Sequence, residues 1–344
     1  MSYKLYIIAL IFRVLALNRL FFFLNRNRKR IISYHNVIPD KYFRELLVEG
    51  VSHSESIFNQ QINYIRNYYY FDLNPYNKKS VTLTFDDGYK NQGCIAGSTL
   101  TQLNVKAYFF CTLNLLQTGK PLFCDELMLW LSYAPSGTYS VTLEEPERIQ
   151  VFSIDSDKDR LNVWEFILRE IKRNPNLIDV VRREFDKYVP FSEIRNKLDS
   201  EYLNLRFSSL TKDDLDTLKD EGHLVASHSE SHRIMSSLEE YTLDDEFRNC
   251  RKEFEKTFNS RVFCYPFGSE AEVNQAVIDK AQLHGFSAAF ANSNTPLRSG
   301  LKYSKFFMPR IALPNTSNRM VLDFILSGAK YFLQHRCLLP LWSS

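Results

Sequence analysis

The sequence lacks several features that would decide a class outright. Its six cysteines, at 94, 111, 124, 250, 264 and 337, are widely spaced and form no CxxC pair. They therefore read as separate buried thiols and not as a zinc cage or a disulfide framework. A charge excess is missing too: 43 Lys and Arg stand against 40 Asp and Glu, a net +3. That balance does not indicate a polyanion partner, and no nucleic-acid partner is expected. There is no internal repeat and no low-complexity tract. The longest clean apolar run near the N-terminus, Leu5 to Phe12, is too short to span a membrane. What is present is a globular composition, with 44% hydrophobic and 24% charged residues, which excludes disorder and a multi-spanning membrane protein. Aromatic residues reach 14%, with 27 Phe and 19 Tyr. Most of these rings belong in a core, and some are free to stack on the apolar C–H faces of sugars. A length of 344 residues predicts two domains, or one large α/β domain with an insertion.

The N-terminal segment reads in two ways. Residues 5–24, LYIIALIFRVLALNRLFFFL, have the length of a span, but Arg13 sits near the middle and Asn18 with Arg19 interrupts the second half. A central Arg costs ~2.5–3.5 kcal/mol even on insertion scales. Arg13 also stands directly before Val14-Leu15-Ala16, which argues against a cleaved signal peptide. The basic stretch NRNRKR at 25–30 lies behind the apolar run. The expectation is a peripheral contact with an anionic membrane surface through residues 1–30, on the cytoplasmic face, with a secreted or cell-envelope location as the alternative. Equally, the segment can pack on the protein's own barrel. On the first reading, deleting residues 1–24 leaves a soluble, active domain.

From residue 30 onward short apolar runs alternate with helical patterns. The runs are RIISYH (30–35), VTLTF (81–85), VKAYFFCT (105–112), HLVASH (223–228), VFCYPF (262–267), FSAAFA (286–291) and FFMPRIAL (306–313). Their β-branched and aromatic content predicts seven strands in βα units around a mostly parallel sheet, a number that suits a barrel. Thr211 to Glu221 predicts a capped helix closed by Gly222, and Leu243 to Phe258 a second helix. Residues 125–205 break the alternation with an expected hairpin (Tyr139 to Ile154) and two helices (Leu161 to Arg173, Leu177 to Val189), and read as an insertion. The chain thus divides into a segment 1–30, a domain 31–330 and a C-terminal tail 331–344.

Two distant elements fit one site. In Thr84-Phe85-Asp86-Asp87-Gly88 a β-run ends in adjacent carboxylates, whose side chains need not point the same way. One can bind a metal while the other stays free to take a proton. In His228-Ser229-Glu230-Ser231-His232 two imidazoles four apart face one way on a helical turn. With one carboxylate they would make an open N2O site, the donor count of catalytic metals, with zinc the favoured divalent ion. Asp-Asp-Gly is also an ordinary turn, and the histidine pair can be an ordinary polar turn. Their joint occurrence at strand ends is what points to a site.

TFDDG together with HSESH resembles the first two motifs of the polysaccharide deacetylases, the carbohydrate esterases of family 4 with a NodB homology domain. The resemblance extends through ISYHNVIPD, AYFFCT, TKDDLDTLKDEGHLVASHSESH and CYPFG, over most of residues 31–330. It implies a distorted (β/α) barrel, Asp86 as general base, Asp87, His228 and His232 as metal ligands, and N-deacetylation of an acetylhexosamine glycan. It also implies a backbone N–H of Tyr265 on the oxyanion. Two departures stand out. Cys264 occupies the place of the family's usual Arg, so Arg310, in FMPRIAL, is the candidate to hold Asp86, unless it makes a surface or inter-strand salt bridge. The late Leu-x-His motif that usually supplies the acid is replaced by Ile311-Ala312-Leu313-Pro314. His35, in the YHNV turn after the first strand, could reach the barrel mouth but is expected to be a structural hydrogen-bonder, and His53, His223, His284 and His335 to be solvated. The alternatives are a weakly catalytic glycan-binding protein on the same fold and a metal-dependent O-acetyl esterase.

Overall fold

The computed structural model describes residues 3–43, 52–77, 80–143, 148–269, 271–292, 304–335 and 339. Eight short parallel strands make the central layer: β1 (Arg30–Tyr34), β2 (Ser80–Phe85), β3 (Ala107–Cys111), β4 (Leu224–Ser227), β5 (Val262–Cys264), β6 (Ala288–Ala291), β7 (Met308–Pro309) and β8 (Ile311–Ala312). Their order is β7-β6-β5-β4-β3-β2-β1-β8. Because β7 and β8 flank the single residue Arg310, β7 pairing with β6 and β8 with β1 brings the sheet's two edges together into a nearly closed barrel. The seven apolar runs are all found. The last is one strand broken in two at Arg310.

β1, β2 and β3 are buried on both faces along their whole length, as parallel strands covered by helices must be. Alternation sorts their side chains. Ile31, Tyr108, Phe110, Ala226, Cys264, Phe290 and Met308 form one cluster inside the barrel, with Tyr108 and Phe110 stacked at 5.7 Å. Their neighbours in sequence, such as Ile32, Leu83, Phe109 and Phe263, pack outward beneath the helices.

Between β3 and β4 the chain leaves the barrel. Helix Phe123–Tyr133, the antiparallel pair Gly137–Thr142 and Ile149–Ile154, and helices Asp157–Arg173, Leu177–Asp186, Phe191–Asn196 and Ser200–Phe207 share a second core around Trp130. The ring of Trp130 lies 4.3 Å from that of Phe185, and its Nε1 donates to the Val189 carbonyl at 3.0 Å. The hairpin and the two longer helices after it match the sequence expectation in place, whereas helix Phe123–Tyr133 and the two short helices were not foreseen. A buried ion pair ties this unit to itself and to the barrel: Arg206 and the Tyr89 hydroxyl both donate to Asp125, each at 2.5 Å.

Two N-terminal helices, α1 (Tyr3–Val14) and α2 (Leu17–Leu24), meet at 86° across Ala16, whose φ of 54° breaks the helix. They dock on the barrel's last helices: Phe12 lies 4.9 Å from Phe324 and Phe21 5.0 Å from Phe332. The Asn25 amide donates to the Ser327 carbonyl at 2.9 Å. No single helix among the described residues is long and apolar enough to cross a membrane.

Candidate active site

Every expected site residue lies at or near the carboxyl ends of the barrel strands. β2 ends at Phe85, and the Asp86 N–H continues the ladder by donating to the Tyr34 carbonyl at 3.1 Å. Residue 86 is even-numbered like Thr82 and Thr84, so its carboxylate turns into the barrel. There Arg310 meets it with both arms, Nη1 to Oδ1 and Nη2 to Oδ2 at 2.6 Å each. Arg310 is itself fixed by the Ala291 carbonyl (3.2 Å) and the Thr84 hydroxyl (3.0 Å). Burial alone would raise the Asp86 pKa, but the guanidinium beside it outweighs that and holds the carboxyl well below the usual range. Residue 310 is two on from Met308, which faces the barrel interior, so alternation along the last run sends the Arg310 side chain inward. Of the two sequence readings, the one that has Arg310 holding Asp86 agrees with this geometry.

Asp87 points elsewhere because the backbone reverses. Its φ is +88° and that of Gly88 +94°. A Cβ on Gly88 would meet the Cys111 Cβ at 3.0 Å, so the turn depends on glycine. The Asp87 carbonyl accepts from Thr112 N–H at 2.9 Å, which fixes the turn on β3. Its carboxylate then faces two imidazoles, with Oδ1 3.6 Å from His228 Nε2 and 3.4 Å from His232 Nε2.

The histidines converge without the expected helical turn. Ser229 and His232 adopt φ of 65° and 57° in an irregular loop, a strained arrangement for non-glycine residues. Glu246, on helix Glu240–Phe258, secures that loop: its carboxylate accepts from the backbone N–H of Glu230 (2.8 Å) and Ser231 (3.1 Å) and from the Ser231 hydroxyl. His228 Nδ1 lies 2.9 Å from the Cys264 carbonyl. A carbonyl only accepts, so the proton belongs on Nδ1 and the Nε2 lone pair faces Asp87. Burial pulls the His228 pKa down to about 4, which keeps the ring neutral.

Among the described residues two groups of donors are close enough to share an ion: Asp87, His228 and His232, and Asp86, His228 and Cys264. The second fits poorly. Both Asp86 oxygens are taken by Arg310, and burial raises the Cys264 thiol far above its ordinary value, so it stays protonated. The first fits well, because separations of 3.4 and 3.6 Å match the edge of a tetrahedron with ligands at about 2.1 Å.

Several expectations are corrected. The Tyr265 N–H donates to the Phe290 carbonyl at 3.0 Å, so it is committed to the barrel ladder. With Cys264 turned inward, the Tyr265 side chain points outward, and its hydroxyl donates to the Phe306 carbonyl at 3.0 Å. Past Pro266, Phe267 turns with φ +59° and lines the cavity, its ring 5.2 Å from that of His232. Cys264 is no bystander thiol, since its Sγ lies 3.6 Å from Asp86 Oδ1. His35 is at the site, with Nε2 3.7 Å from Asp86 Oδ2. His53 and His223 are buried and not solvated. His223 accepts the Ala107 N–H at 3.2 Å, and His284 lies 2.8 Å from Asp244. The side chain of His335 and residue Cys337 lie outside the described residues.

The site opens into a cavity of about 490 Å³. Its floor is His35, Asp86, Asp87, His228 and His232. Trp164, Leu168 and Lys172, from helix Asp157–Arg173, form a wall. Lys172 reaches across to Glu272 at 2.6 Å. A second groove of about 650 Å³ adjoins it, sharing Leu122, Cys124, His232 and Phe267, and carries Lys120, Arg183 and Arg233. Sequence reasoning missed Gln92, whose amide donates to the Asp86 carbonyl, and Glu246. Neither sits in a motif, and only the fold brings them to the site.

Fold and site first define a class: a parallel (β/α) barrel with a carboxylate–imidazole cluster at the carboxyl ends of its strands. Residues 172–289 match the family model described as polysaccharide deacetylase. The matched stretch holds His228, His232 and the CYPFG turn, whereas Asp86 and Asp87 precede it. Solved structures share the fold. The Streptococcus pyogenes deacetylase PplD in complex with acetate is 14% identical, with a TM-score of 0.50 over 87% of this chain and 96% of that one. BC0361, a polysaccharide deacetylase from Bacillus cereus, is 14% identical with a TM-score of 0.51 over 87% of this chain and 68% of that one. A de-N-acetylase from Aggregatibacter actinomycetemcomitans is 13% identical with a TM-score of 0.50 over 86% and 99%. Among curated proteins none matches.

Proposed function

We propose that the protein is a metal-dependent hydrolase that removes N-acetyl groups from an acetylhexosamine-containing glycan. The observation that carries this reading is the separation of two adjacent carboxylates, Asp86 clamped by Arg310 and Asp87 facing two imidazoles. Asp87, His228 and His232 would hold a divalent ion, and two nitrogens with one oxygen favour zinc. Such an ion supplies Lewis acidity toward the acetyl oxygen and acidifies water.

The chain's own residues do the rest. Asp86, kept ionised by Arg310, takes the proton of the attacking water, and Arg310 holds the carboxylate in place while it does so. With the Tyr265 N–H engaged, the Phe267 N–H in the turn beside His232 is the donor assigned to the oxyanion. His35 is assigned the acid that protonates the departing amine, in place of the missing Leu-x-His motif, because it lines the cavity beside Asp86. The apolar faces of Trp164, Leu168 and Phe267 offer a sugar ring its stacking surface.

Acetate release from N-acetylhexosamine oligosaccharides tests the reading. Acetate and free amine should appear in equal amounts, cease on chelation and return with added zinc. Chelator-insensitive release, or release from O-acetyl esters alone, would contradict it.

A further inference from the structure

We infer that α1 and α2 form a docking surface for an anionic lipid bilayer, with the catalytic mouth turned away from it. The first 39 residues contain seven Lys and Arg and no Asp or Glu. One face of the helix pair is committed to the fold, with Ala9, Phe12, Asn18, Phe21 and Asn25 buried. The opposite face is open and apolar. Val14 is 74% exposed, and Leu15 and Phe23 are each 61% exposed, with Ile7, Ile11 and Leu20 beside them. The bend at Ala16 puts Val14 and Leu15 at an elbow that projects from the protein.

Charge complementarity selects the occupant. Lys4, Arg13 and Arg19 are exposed along the same two helices, interleaved with the apolar side chains, and Arg26 is exposed just past the end of α2. Arg13 already faces Asp323 at 3.9 Å, but a protein partner with a matching apolar face would leave Lys4, Arg19 and Arg26 without a counter-charge, whereas an anionic bilayer offers hydrocarbon to the elbow and phosphate to its flanks. Helices of 12 and 8 residues are each too short to cross a bilayer alone, and the 86° bend between them suits a pair lying along its surface.

The fold then fixes the orientation. α2 is tied to the amino-terminal end of the barrel, where Asn25 bonds the Ser327 carbonyl and Arg30 Nε the Leu326 carbonyl at 2.6 Å. The catalytic residues follow the carboxyl ends of the strands, about 20 Å away along a six-residue strand. An acetylated glycan therefore reaches the site from the aqueous side, extended away from the docking surface.

Co-sedimentation of the full chain with vesicles tests this. Binding is expected to phosphatidylcholine–phosphatidylglycerol vesicles and not to phosphatidylcholine alone, and should weaken as salt rises. Lys4→Gln, Arg19→Gln and Arg26→Gln should each weaken partitioning about fivefold. Val14→Asp with Phe23→Asp should abolish it, with thermal midpoint and acetate release from a soluble oligosaccharide unchanged. Those two readouts separate a failure here from a failure of the proposed activity. Should the double variant fold poorly, the three charge variants carry the test alone. Equal binding to neutral vesicles, no effect of the charge variants, or a lipid-free dimer dissolved by Val14→Asp with Phe23→Asp would overturn the inference.

Discussion

Asp86 and Asp87 are neighbours in sequence that look in different directions, because a strand residue and a left-handed residue cannot present their side chains to the same side. The clamp on Asp86 makes a signed prediction. Removing the guanidinium in Arg310→Met leaves burial as the dominant influence, so the carboxyl pKa rises and the acid limb of the kcat/KM profile moves to higher pH. Arg310→Lys should fail to restore it, since a point charge cannot make the two-armed contact. A wild-type profile in Arg310→Met would return this residue to a structural role. For His35, His35→Gln should lower kcat by about 10² with metal content and KM retained, measured by steady-state kinetics on the metal-loaded protein. The candidate ligands Asp87, His228 and His232 were legible as motifs. The Arg310 partnership was legible only because Cys264 left a vacancy to be filled, and Tyr265 was misread because strand alternation at the end of β5 cannot be fixed from a motif.

At the scale of elements, local chemistry decided what could be read. Helix Lys212–Asp220 announces itself through the reciprocal bonds of Thr211 and Asp214, and it delivers the chain through Gly222 into β4. The loop after β4 does not: its positive φ values fall on Ser and His, residue types that carry no such signal, so a helical turn was expected. The helices Phe191–Asn196 and Ser200–Phe207 are too short to show a clear period. In the insertion, Asp125→Ala would leave Arg206 buried without its counter-charge, at a cost of about 3–5 kcal/mol, readable as a lower urea midpoint. Replacement of both with apolar residues should recover much of that loss. Trp164→Ala, on the cavity wall, should raise KM more than it lowers kcat if the indole serves as a stacking surface.

The whole molecule shows why the barrel was readable and the N-terminus was not. Seven apolar runs in a βα rhythm leave few architectures, and closure follows once the last run splits around Arg310. The segment 1–24, in contrast, gave two readings from one composition, because helices with apolar residues on opposite faces can both pack and dock. Phe12 and Phe21 cover Phe324 and Phe332, so its deletion uncovers part of the core. Removal of residues 1–24 should therefore lower the thermal midpoint and solubility, contrary to the expectation of a free-standing soluble domain. A truncated protein that melts like the full chain would show that this packing contributes little.

The most direct measurement is the metal content of Asp86→Asn beside that of Asp87→Asn, each purified without chelator and assayed for acetate release. If Asp87 holds the ion and Asp86 takes the proton, Asp86→Asn keeps about one equivalent of zinc and loses turnover by 10² or more, roughly, while Asp87→Asn loses both. Zinc lost from Asp86→Asn and retained in Asp87→Asn would contradict the assignment.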